Sequence, residues 1–492
     1  MTSKKLLFRA DGNSIIGLGH LYRLFALVEL YKQKADFVFI TRESSTLSVV
    51  PETYQIDTIS NEVSVINEPD WLFKKYAPNE HIVVIDGYEF SPKYQKKLKL
   101  LGYSIIYIDD LVYNHQYADI VINHSEGLEY ENYATEYYTK LVLGTKYAIL
   151  RSSFLEKTKS PRLIKSIDIA FICFGGADMY DLSYKAAKAL LSFSQFKKIN
   201  ILLGGAYKHK KIFDLEEKNA SVCIYQNLQE KEIVSLMEQS NFAIAPASTT
   251  LYELCAVKMP ILSGYFVENQ LTIYESFLRK KAIYGCGDLS NYTTQNFVTS
   301  IQEVINLNDH DAFLKNQQKL FDSQISHRLL DLLKYANLSI RKASKEDMLQ
   351  VYYWSDDLLV RQNSYNSKPI VLEDHKKWFN SKIRDRNTLF YIIYYNSSPA
   401  GMVRYEIKEE YTIVGITMNK KFRGKKLAPL FLVKTAKEYF YKSEKPILAY
   451  IKKGNTPSIK SFEKAGYQFY KEERFNKIDS FIYKLEKNDP IR

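Results

Sequence analysis

Short apolar runs alternate with amphipathic stretches through the first two thirds of the chain, and glycines or carboxylates stand at the junctions. The strand-like runs occupy residues 6–8, 36–41, 81–86, 104–110 and 120–123, and then 167–174, 199–205 and 241–247. Strands that alternate with helices are typical of parallel sheets with helices on both faces. The pattern therefore predicts an α/β fold with doubly wound, Rossmann-type sheets.

The stretch from Arg9 to Arg23 reads as the end of a strand, a tight loop with Gly17 and Gly19, and a helix that begins near His20. Glycines let backbone N–H groups approach a phosphate or sugar oxygen closely. Polar side chains crowd this junction, namely Arg9, Asp11, Asn13, His20 and Arg23. Because open parallel sheets bind ligands at the carboxyl ends of their strands, the stretch predicts a ligand site. A histidine that only caps or packs at a helix start is the alternative.

Carboxylates follow two further strand-like runs. Asp86, close to Tyr88, ends one run, and Asp109 and Asp110 end the next. These side chains should stand around the same crevice as His20. They could orient the histidine, accept hydrogen bonds from sugar hydroxyls, or cap the following helices, which is the commonest role of such residues.

Small hydroxyl residues stand where a strand-like run meets a helix in the second third, at Ser248, Thr249 and Thr250. A helix amino terminus carries free N–H groups and partial positive charge, so it can hold a diphosphate. Glu253 could accept two hydrogen bonds from a ribose, since an ionised carboxylate offers two acceptor oxygens. A capping box, with a hydroxyl three residues before the glutamate, explains the same pattern without a ligand.

These motifs together resemble the bacterial nucleotide-sugar hydrolases of the pseudaminic acid pathway, and the resemblance extends to Asn269 and Gln270. It covers roughly residues 1–337 and implies a GT-B-like pair of Rossmann-type domains, which we place at 1–155 and 156–337. It implies His20 as the catalytic base and a UDP site at Ser248, Thr249, Thr250, Glu253, Asn269 and Gln270. We also expect a catalytic part for Asp11 and no metal. Substrate contacts are expected from Arg9, Asn13, Gly17, Gly19, Arg23, Asp86, Tyr88 and Asp110.

From residue 338 onward the pattern changes and is similar to the GNAT acetyltransferase superfamily. A strand-like run ending at Met418 leads into a basic turn and a long helix, an arrangement that can hold a pyrophosphate on backbone N–H groups. The resemblance implies an acetyl-CoA site in a GNAT α/β domain at 338–492. Its expected residues are Met418, Arg423, Gly424, Lys425, Lys426, Leu427, Ala428, Asn455 and Ser458.

Two residues depart from the superfamily pattern. Lys426 replaces a glycine of the turn, which alters the close approach of the backbone. Phe462 stands where relatives often have a tyrosine that protonates the leaving thiolate. Phenylalanine cannot donate a proton, so a water or a tyrosine such as Tyr467 would have to serve. The domain could be active, slow, or retained only for binding.

The formal net charge of +12 lies in the last third, where residues 338–492 contain 31 basic and 18 acidic residues. This excess indicates either a polyanionic ligand or a generic solvated surface. Nucleic acid is disfavoured, because the lysines are mixed with glutamates and the 39 tyrosines are scattered. Coenzyme A suits the excess better. The four cysteines lack the Cys-x-x-Cys spacing of a zinc site, and no apolar run suits a signal peptide or membrane span. We expect a cytoplasmic protein that can form a homo-oligomer.

We therefore expect a bifunctional enzyme of pseudaminic acid biosynthesis. Its first two domains would hydrolyse a UDP-2,4-diacetamido-2,4,6-trideoxyhexose to the free sugar and UDP. Its third domain would transfer an acetyl group from acetyl-CoA to the UDP-4-amino-sugar precursor. The alternatives are a GT-B glycosyltransferase fused to an acetyltransferase, a scaffold with degenerate sites, and a nucleic-acid binder.

Overall fold

The computed structural model describes residues 4–13, 15–112, 114–307 and 310–489. A first parallel sheet has the strand order β3-β2-β1-β4-β5-β6-β7. Its strands are β1 (Lys5–Arg9), β2 (Phe37–Arg42), β3 (Ile56–Ile59), β4 (His81–Asp86), β5 (Ser104–Ile108), β6 (Ile120–Asn123) and β7 (Lys140–Leu143). The helices of this region are α1 (Gly19–Tyr31), α2 (Glu68–Lys75), α3 (Pro92–Leu100) and α4 (Ser152–Lys157). The strand order reverses between β1 and β4, which is where doubly wound sheets bind ligands.

A second parallel sheet has the order β10-β9-β8-β11-β12-β13. Its strands are β8 (Ile169–Ile172), β9 (Lys198–Leu203), β10 (Val222–Gln226), β11 (Phe242–Pro246), β12 (Ile261–Tyr265) and β13 (Tyr284–Asp288). The helices are α5 (Leu182–Leu190), α6 (Lys211–Lys218), α7 (Glu230–Gln239), α8 (Thr249–Val257), α9 (Glu268–Arg279), α10 (Thr294–Asn306), α11 (Asp311–Leu320) and α12 (Ile325–Ala336). The order reverses between β8 and β11, and α8 follows β11 directly.

A third, mixed sheet has the order β14-β15-β16-β17-β18-β20-β19. Its strands are β14 (Leu338–Lys342), β15 (Thr388–Tyr395), β16 (Ser398–Ile407), β17 (Thr412–Met418), β18 (Ile447–Lys452), β19 (Gln468–Phe475) and β20 (Ile478–Leu485). Its helices are α13 (Met348–Ser355), α14 (Leu358–Asn363), α15 (Leu372–Arg384), α16 (Ala428–Phe440) and α17 (Thr456–Lys464). The parallel neighbours β17 and β18 pair only at their first residues and then diverge.

The predicted α/β fold class is confirmed, with parallel Rossmann-type sheets followed by the third sheet. Central strands such as β1 and β4 are buried, as expected for strands covered by helices on both faces. The region of the first sheet contacts that of the third through the segment before β7 and the end of α16. Lys437 of α16 donates to the carbonyl of Thr139 at 2.6 Å, and the rings of Tyr137 and Tyr441 stack with centroids 4.1 Å apart.

Candidate active site

His20 lies in the first turn of α1 and contacts a buried carboxylate from the neighbouring strand end. Its Nδ1 is 2.7 Å from Oδ1 of Asp86, whose side chain is fully buried. Arg23, one turn along α1, donates to both Asp86 oxygens at 2.6 Å and to Asp110 at 3.0 Å. Strand β4 thus delivers the carboxylate, and the three-residue spacing on α1 directs the imidazole and the guanidinium to it.

The electrostatics of this group follow from that geometry. Burial alone would lower the pKa of His20, but the hydrogen bond and the charge of Asp86 outweigh it, so the pKa lies above its ordinary value. Burial would raise the pKa of Asp86, but Arg23 and His20 hold it below its ordinary value. An ionised carboxylate only accepts hydrogen bonds, so the neutral imidazole carries its proton on Nδ1. Nε2 of His20 is then the atom that can take a proton.

Other predicted residues complete the rim of the crevice. The half-exposed ring of Tyr88 meets the His20 ring edge to face at 4.7 Å, and its hydroxyl lies 3.4 Å from Asp110. Asn13 shapes the loop, since its side-chain oxygen accepts from the N–H groups of residues 15 and 16. Gly17 has a φ of +82°, which favours glycine, and Gly19 opens α1 with free space beside its Cα.

Arg9 and Asp11 have a different place from the one predicted. Arg9 is fully buried and binds Asp11 at 2.8 Å and Glu68 of α2 at 2.9 Å. The Asp11 carboxylate also accepts from the backbone N–H of Arg42 at 2.8 Å and from the hydroxyl of Thr41 at 3.1 Å. Arg9 is therefore an internal cation and not a substrate ligand, because it has no accessible surface. Asp11 stabilises the loop from inside, and the carboxylate that contacts His20 is Asp86.

The proposed diphosphate position is the amino terminus of α8. Ser248 stands before the helix in extended conformation, and Thr249 and Thr250 begin it. In the part of the chain that the structure describes, the Ser248 hydroxyl makes no capping bond, and Glu253 pairs instead with Arg151 at 2.8 Å. Burial raises the pKa of Glu253, although the charge of Arg151 opposes the shift. A capping box would need Thr250, three residues before Glu253, as the N-cap residue, but Thr250 lies inside α8, so the capping-box alternative is not the observed arrangement.

The pair on α9 divides into an exposed and an internal residue. Asn269 is exposed, so it could contact a ligand. Gln270 is buried, and its side-chain oxygen accepts from the N–H of Phe266 at 3.1 Å. Gln270 is therefore corrected from a UDP contact to a residue that shapes the loop before α9.

Sequence reasoning missed His124, which directly follows β6. Its Nδ1 accepts from the backbone N–H of Ile149 at 3.1 Å. Its ring lies 5.0 Å from that of Tyr252 on α8, whose hydroxyl donates to the His124 carbonyl at 3.3 Å. Burial, reinforced by the charge of Arg23, lowers the pKa of His124 to about 3. His124 thus contacts α8 and is close enough to Arg23 and Asp86 for its pKa to respond to their charges. Its place after a predicted strand was the signal that could have identified it.

The third sheet opens where β17 and β18 diverge, and the turn after Met418 lies at this opening. Gly424 and Lys426 have φ values of +76° and +60°, so the lysine adopts the left-handed conformation that glycine favours. Gly424, Lys425 and Lys426 are exposed, Leu427 is buried, and Ala428 begins α16. The start of α16 has free N–H groups, and the space beside the Cα of Gly424 is open, since a Cβ added there would have no atom within 4 Å. Both features suit the binding of a pyrophosphate.

Arg423 and Asn455 are engaged within the protein. Arg423 donates to the Met418 carbonyl at 3.1 Å and pairs with Asp357 at 2.8 Å, so it closes the turn instead of extending towards a ligand. The Asn455 side chain caps α17 by accepting from the N–H of Ser458 at 3.3 Å. Both therefore shape the loops from which a cofactor would be bound.

The suggestion that Tyr467 supplies a proton is corrected. Tyr467 is buried, and its ring packs edge to face against Phe462 at 4.9 Å. Burial raises the pKa of its hydroxyl well above the ordinary value. A group inside the core cannot reach a thiolate in the opening between β17 and β18.

The chain contains two doubly wound parallel sheets, and the first has an imidazole–carboxylate contact at its switch point. A mixed sheet follows, in which one parallel strand pair diverges. This combination is typical of α/β enzymes. Residues 337–468 match the acetyltransferase (GNAT) domain family. The UDP-2,4-diacetamido-2,4,6-trideoxy-beta-L-altropyranose hydrolase of Campylobacter jejuni is 28% identical over 54% of this chain and 93% of its own length. The first part of the chain is therefore similar to this hydrolase, and residues 337–468 are similar to GNAT acetyltransferase domains.

Two further relatives span the same regions to different extents. The uncharacterized protein MJ1062 of Methanocaldococcus jannaschii is 23% identical over 98% of this chain and 99% of its own length. The spore coat polysaccharide biosynthesis protein SpsG of Bacillus subtilis is 24% identical over 56% of this chain and 82% of its own. Among solved structures, an aminoglycoside acetyltransferase in complex with coenzyme A is 15% identical, covers 30% of this chain and 95% of its own, and has a TM-score of 0.28.

Two further features concern membranes and metals. Across the described ranges, no helix combines the length and apolar character that a membrane crossing requires. The same residues do not bring three or more His, Cys, Asp or Glu side chains together as a metal site would.

Proposed function

We propose that the region of the first two sheets hydrolyses a UDP-linked diacetamido-trideoxyhexose to UDP and the free sugar. The observation that carries this proposal is the His20–Asp86 contact at the β1/β4 switch point, which leaves Nε2 of His20 as a proton acceptor. The hydrolase relative supports the substrate class. UDP would lie at the start of α8, with Glu253 near the ribose, and the sugar would extend towards His20 and Tyr88.

The reaction needs one proton transfer and one displacement at C1. Nε2 of His20 takes a proton from water while the water oxygen forms a bond to C1 of the sugar. The bond between C1 and the phosphate oxygen breaks, and its electron pair stays with UDP. Free N–H groups at the α8 start stabilise the charge that develops on the diphosphate. Attack from the face opposite UDP would invert C1.

We further propose that the GNAT domain acetylates the amine of the UDP-4-amino-sugar precursor, so that one chain carries two consecutive steps. Acetyl-CoA would lie across the turn at 423–428, with its pyrophosphate on the N–H groups at the start of α16. A neutral amine attacks the thioester carbonyl, the C–S bond breaks so that the thiolate leaves, and the attacking nitrogen loses one proton to water. Since Phe462 and the buried Tyr467 provide no acid, water is the proton source for the thiolate.

One specific observation supports a second interpretation, in which this domain binds acetyl-CoA but does not transfer the acetyl group. The replacement of the tyrosine acid by Phe462 suits a domain that binds acetyl-CoA without turnover. Purified protein incubated with acetyl-CoA and the UDP-4-amino sugar separates the two interpretations, because only an active domain releases CoA and an acetylated sugar.

The hydrolase proposal is tested with the UDP-diacetamido sugar in oxygen-18 water and with no sugar acceptor present. We expect UDP and a sugar labelled at C1, with inverted configuration by NMR. Release of UDP only when an acceptor sugar is added would identify a glycosyltransferase instead.

A further inference from the structure

The tautomer of His124 is fixed by its backbone partner. The N–H of Ile149 can only donate, so Nδ1 of His124 must be the unprotonated nitrogen of the ring. The ring proton therefore sits on Nε2. Because the pKa of His124 is about 3, the imidazole is neutral throughout the range in which enzymes of this kind work.

The position of His124 links the two halves of the proposed hydrolytic site. The ring packs against Tyr252, one turn inside α8, and its pKa responds to the charges of Arg23 and Asp86 on the other side. The residue keeps 6% of its surface accessible. Within the described ranges, the polar contacts of its ring are limited to the bond that Nδ1 accepts, so Nε2–H has no protein acceptor. A neutral donor close enough to a guanidinium to respond to its charge suits an anionic oxygen.

We propose that His124 donates a hydrogen bond from Nε2 to a diphosphate oxygen of the bound UDP-sugar, near the C1–O bond that breaks. This inference rests on the proposed hydrolase function and adds a residue to it. Negative charge grows on the leaving diphosphate as the bond lengthens, so the hydrogen bond is stronger in the transition state than in the ground state. His20 handles the proton of the attacking water, and His124 stabilises the leaving group without changing its own charge.

Two amides can separate the functions of the two ring nitrogens. His124→Asn places a carbonyl oxygen near the position of Nδ1, so it can still accept from Ile149 but cannot reach the diphosphate. His124→Gln places an amide N–H₂ near the position of Nε2, so it restores the donor. We expect the asparagine variant to lose about 10²-fold or more in kcat, as removal of an oxyanion donor does. The glutamine variant should retain at least ten times the kcat of the asparagine variant.

The ratio of the two kcat values decides the proposal. A glutamine variant well above the asparagine variant supports donation from Nε2, whereas equal values or the reverse order overturn it. Loss of wild-type hydrolysis would instead refute the proposed function itself. If the variants do not fold, 15N-histidine NMR of the wild-type protein with added UDP replaces them. The histidine that stays neutral to about pH 4 should show a downfield Nε2–H shift on UDP binding, and an unchanged resonance overturns the proposal.

Discussion

Asp86→Asn tests the His20 group most directly, because both oxygens of the Asp86 carboxylate accept hydrogen bonds from this group. Oδ1 accepts from His20 at 2.7 Å and from Arg23 at 2.6 Å, and Oδ2 accepts from Arg23 at 2.6 Å. An asparagine must place an N–H₂ at one of these positions. If the amide N–H₂ faces Arg23, two hydrogen-bond donors oppose each other and the contact is lost. Facing His20 the N–H₂ donates to Nδ1, which moves the ring proton to Nε2 and removes the base.

The expected loss follows from that misplaced proton. Where an amide replaces the carboxylate partner of a catalytic histidine, kcat falls by about 10²- to 10⁴-fold, or about 3 to 5 kcal/mol in activation free energy. The pH profile changes as well. His20 must be neutral to act, and its pKa is raised by Asp86, so activity is lost as pH falls through this raised value. Without the Asp86 charge the pKa falls, and the acid limb should move to lower pH.

The assay is steady-state UDP release from the UDP-diacetamido sugar between pH 5 and 9. Asp110→Asn is the matched control, since Asp110 also binds Arg23, at 3.0 Å, but makes no bond to His20. We expect it to lose less than tenfold in kcat. Circular dichroism and calorimetric UDP binding establish that each variant is folded. Equal losses in the two variants, or an acid limb of Asp86→Asn that stays in place, would refute the assignment of Asp86 as the partner of His20.

Three further substitutions test the electrostatics and the backbone. Lys437 is half-buried, and its pKa is lowered to about 7 by desolvation and by the charges of Lys140 and Lys434. Between about pH 7 and 10.5 the unfolded chain therefore binds more protons, and stability rises with pH. Lys437→Met should reduce the increase in unfolding free energy with pH by up to about 1.4 kcal/mol per pH unit, measured by thermal unfolding from pH 7 to 10. An unchanged slope would contradict the lowered pKa of Lys437. Lys426→Gly should stabilise the protein by up to about 1 kcal/mol, because glycine accepts the left-handed backbone more readily. Lys425→Gly is its control, and an equal gain there would contradict the explanation. Burial raises the pKa of Glu89, and the structure gives its Oε1 no hydrogen-bond partner among the described residues, so this carboxylate destabilises the fold as pH rises through its raised pKa. Glu89→Gln should therefore add about 1 to 2 kcal/mol at pH 8 and less at pH 5, and a gain independent of pH would argue against a charge effect.

The fold was predictable because its information is local. Buried strands such as β4 are continuous apolar runs, and a carboxylate stands at the carboxyl end of β4 and directly after β5. Since the carboxyl ends of parallel strands share one edge, the sequence alone could place His20 and Asp86 together. The edge strands β3 and β7 escaped prediction because they contain only one and two buried residues, whereas all four residues of the predicted strand β6 are buried.

The assignment of roles within the site depended on information that is not local. Arg9 and Arg23 look alike in the sequence, yet one is buried against Glu68 and the other borders the crevice. Glu68 lies in a segment that had no predicted part in the site, and its pairing with Arg9 spans 59 positions. An aspartate at the end of a strand likewise has the same sequence pattern whether its side chain faces a ligand or forms an ion pair inside the protein. Only the three-dimensional arrangement separates Asp11 from Asp86.

The basic charge of the last third is smaller at the ligand site than the sequence indicates. Lys434 and Lys437 lie on the buried face of α16 towards the first sheet, and burial lowers their pKa values to about 8 and about 7. These two lysines contact carbonyl groups, of Leu338 and Thr139, and neither is available to a phosphate. Arg423 is engaged by Asp357. The lysines of the turn after β17 that stay exposed are Lys420, Lys421, Lys425 and Lys426. At the proposed acetyl-CoA site, the backbone N–H groups at the start of α16 would add to their attraction.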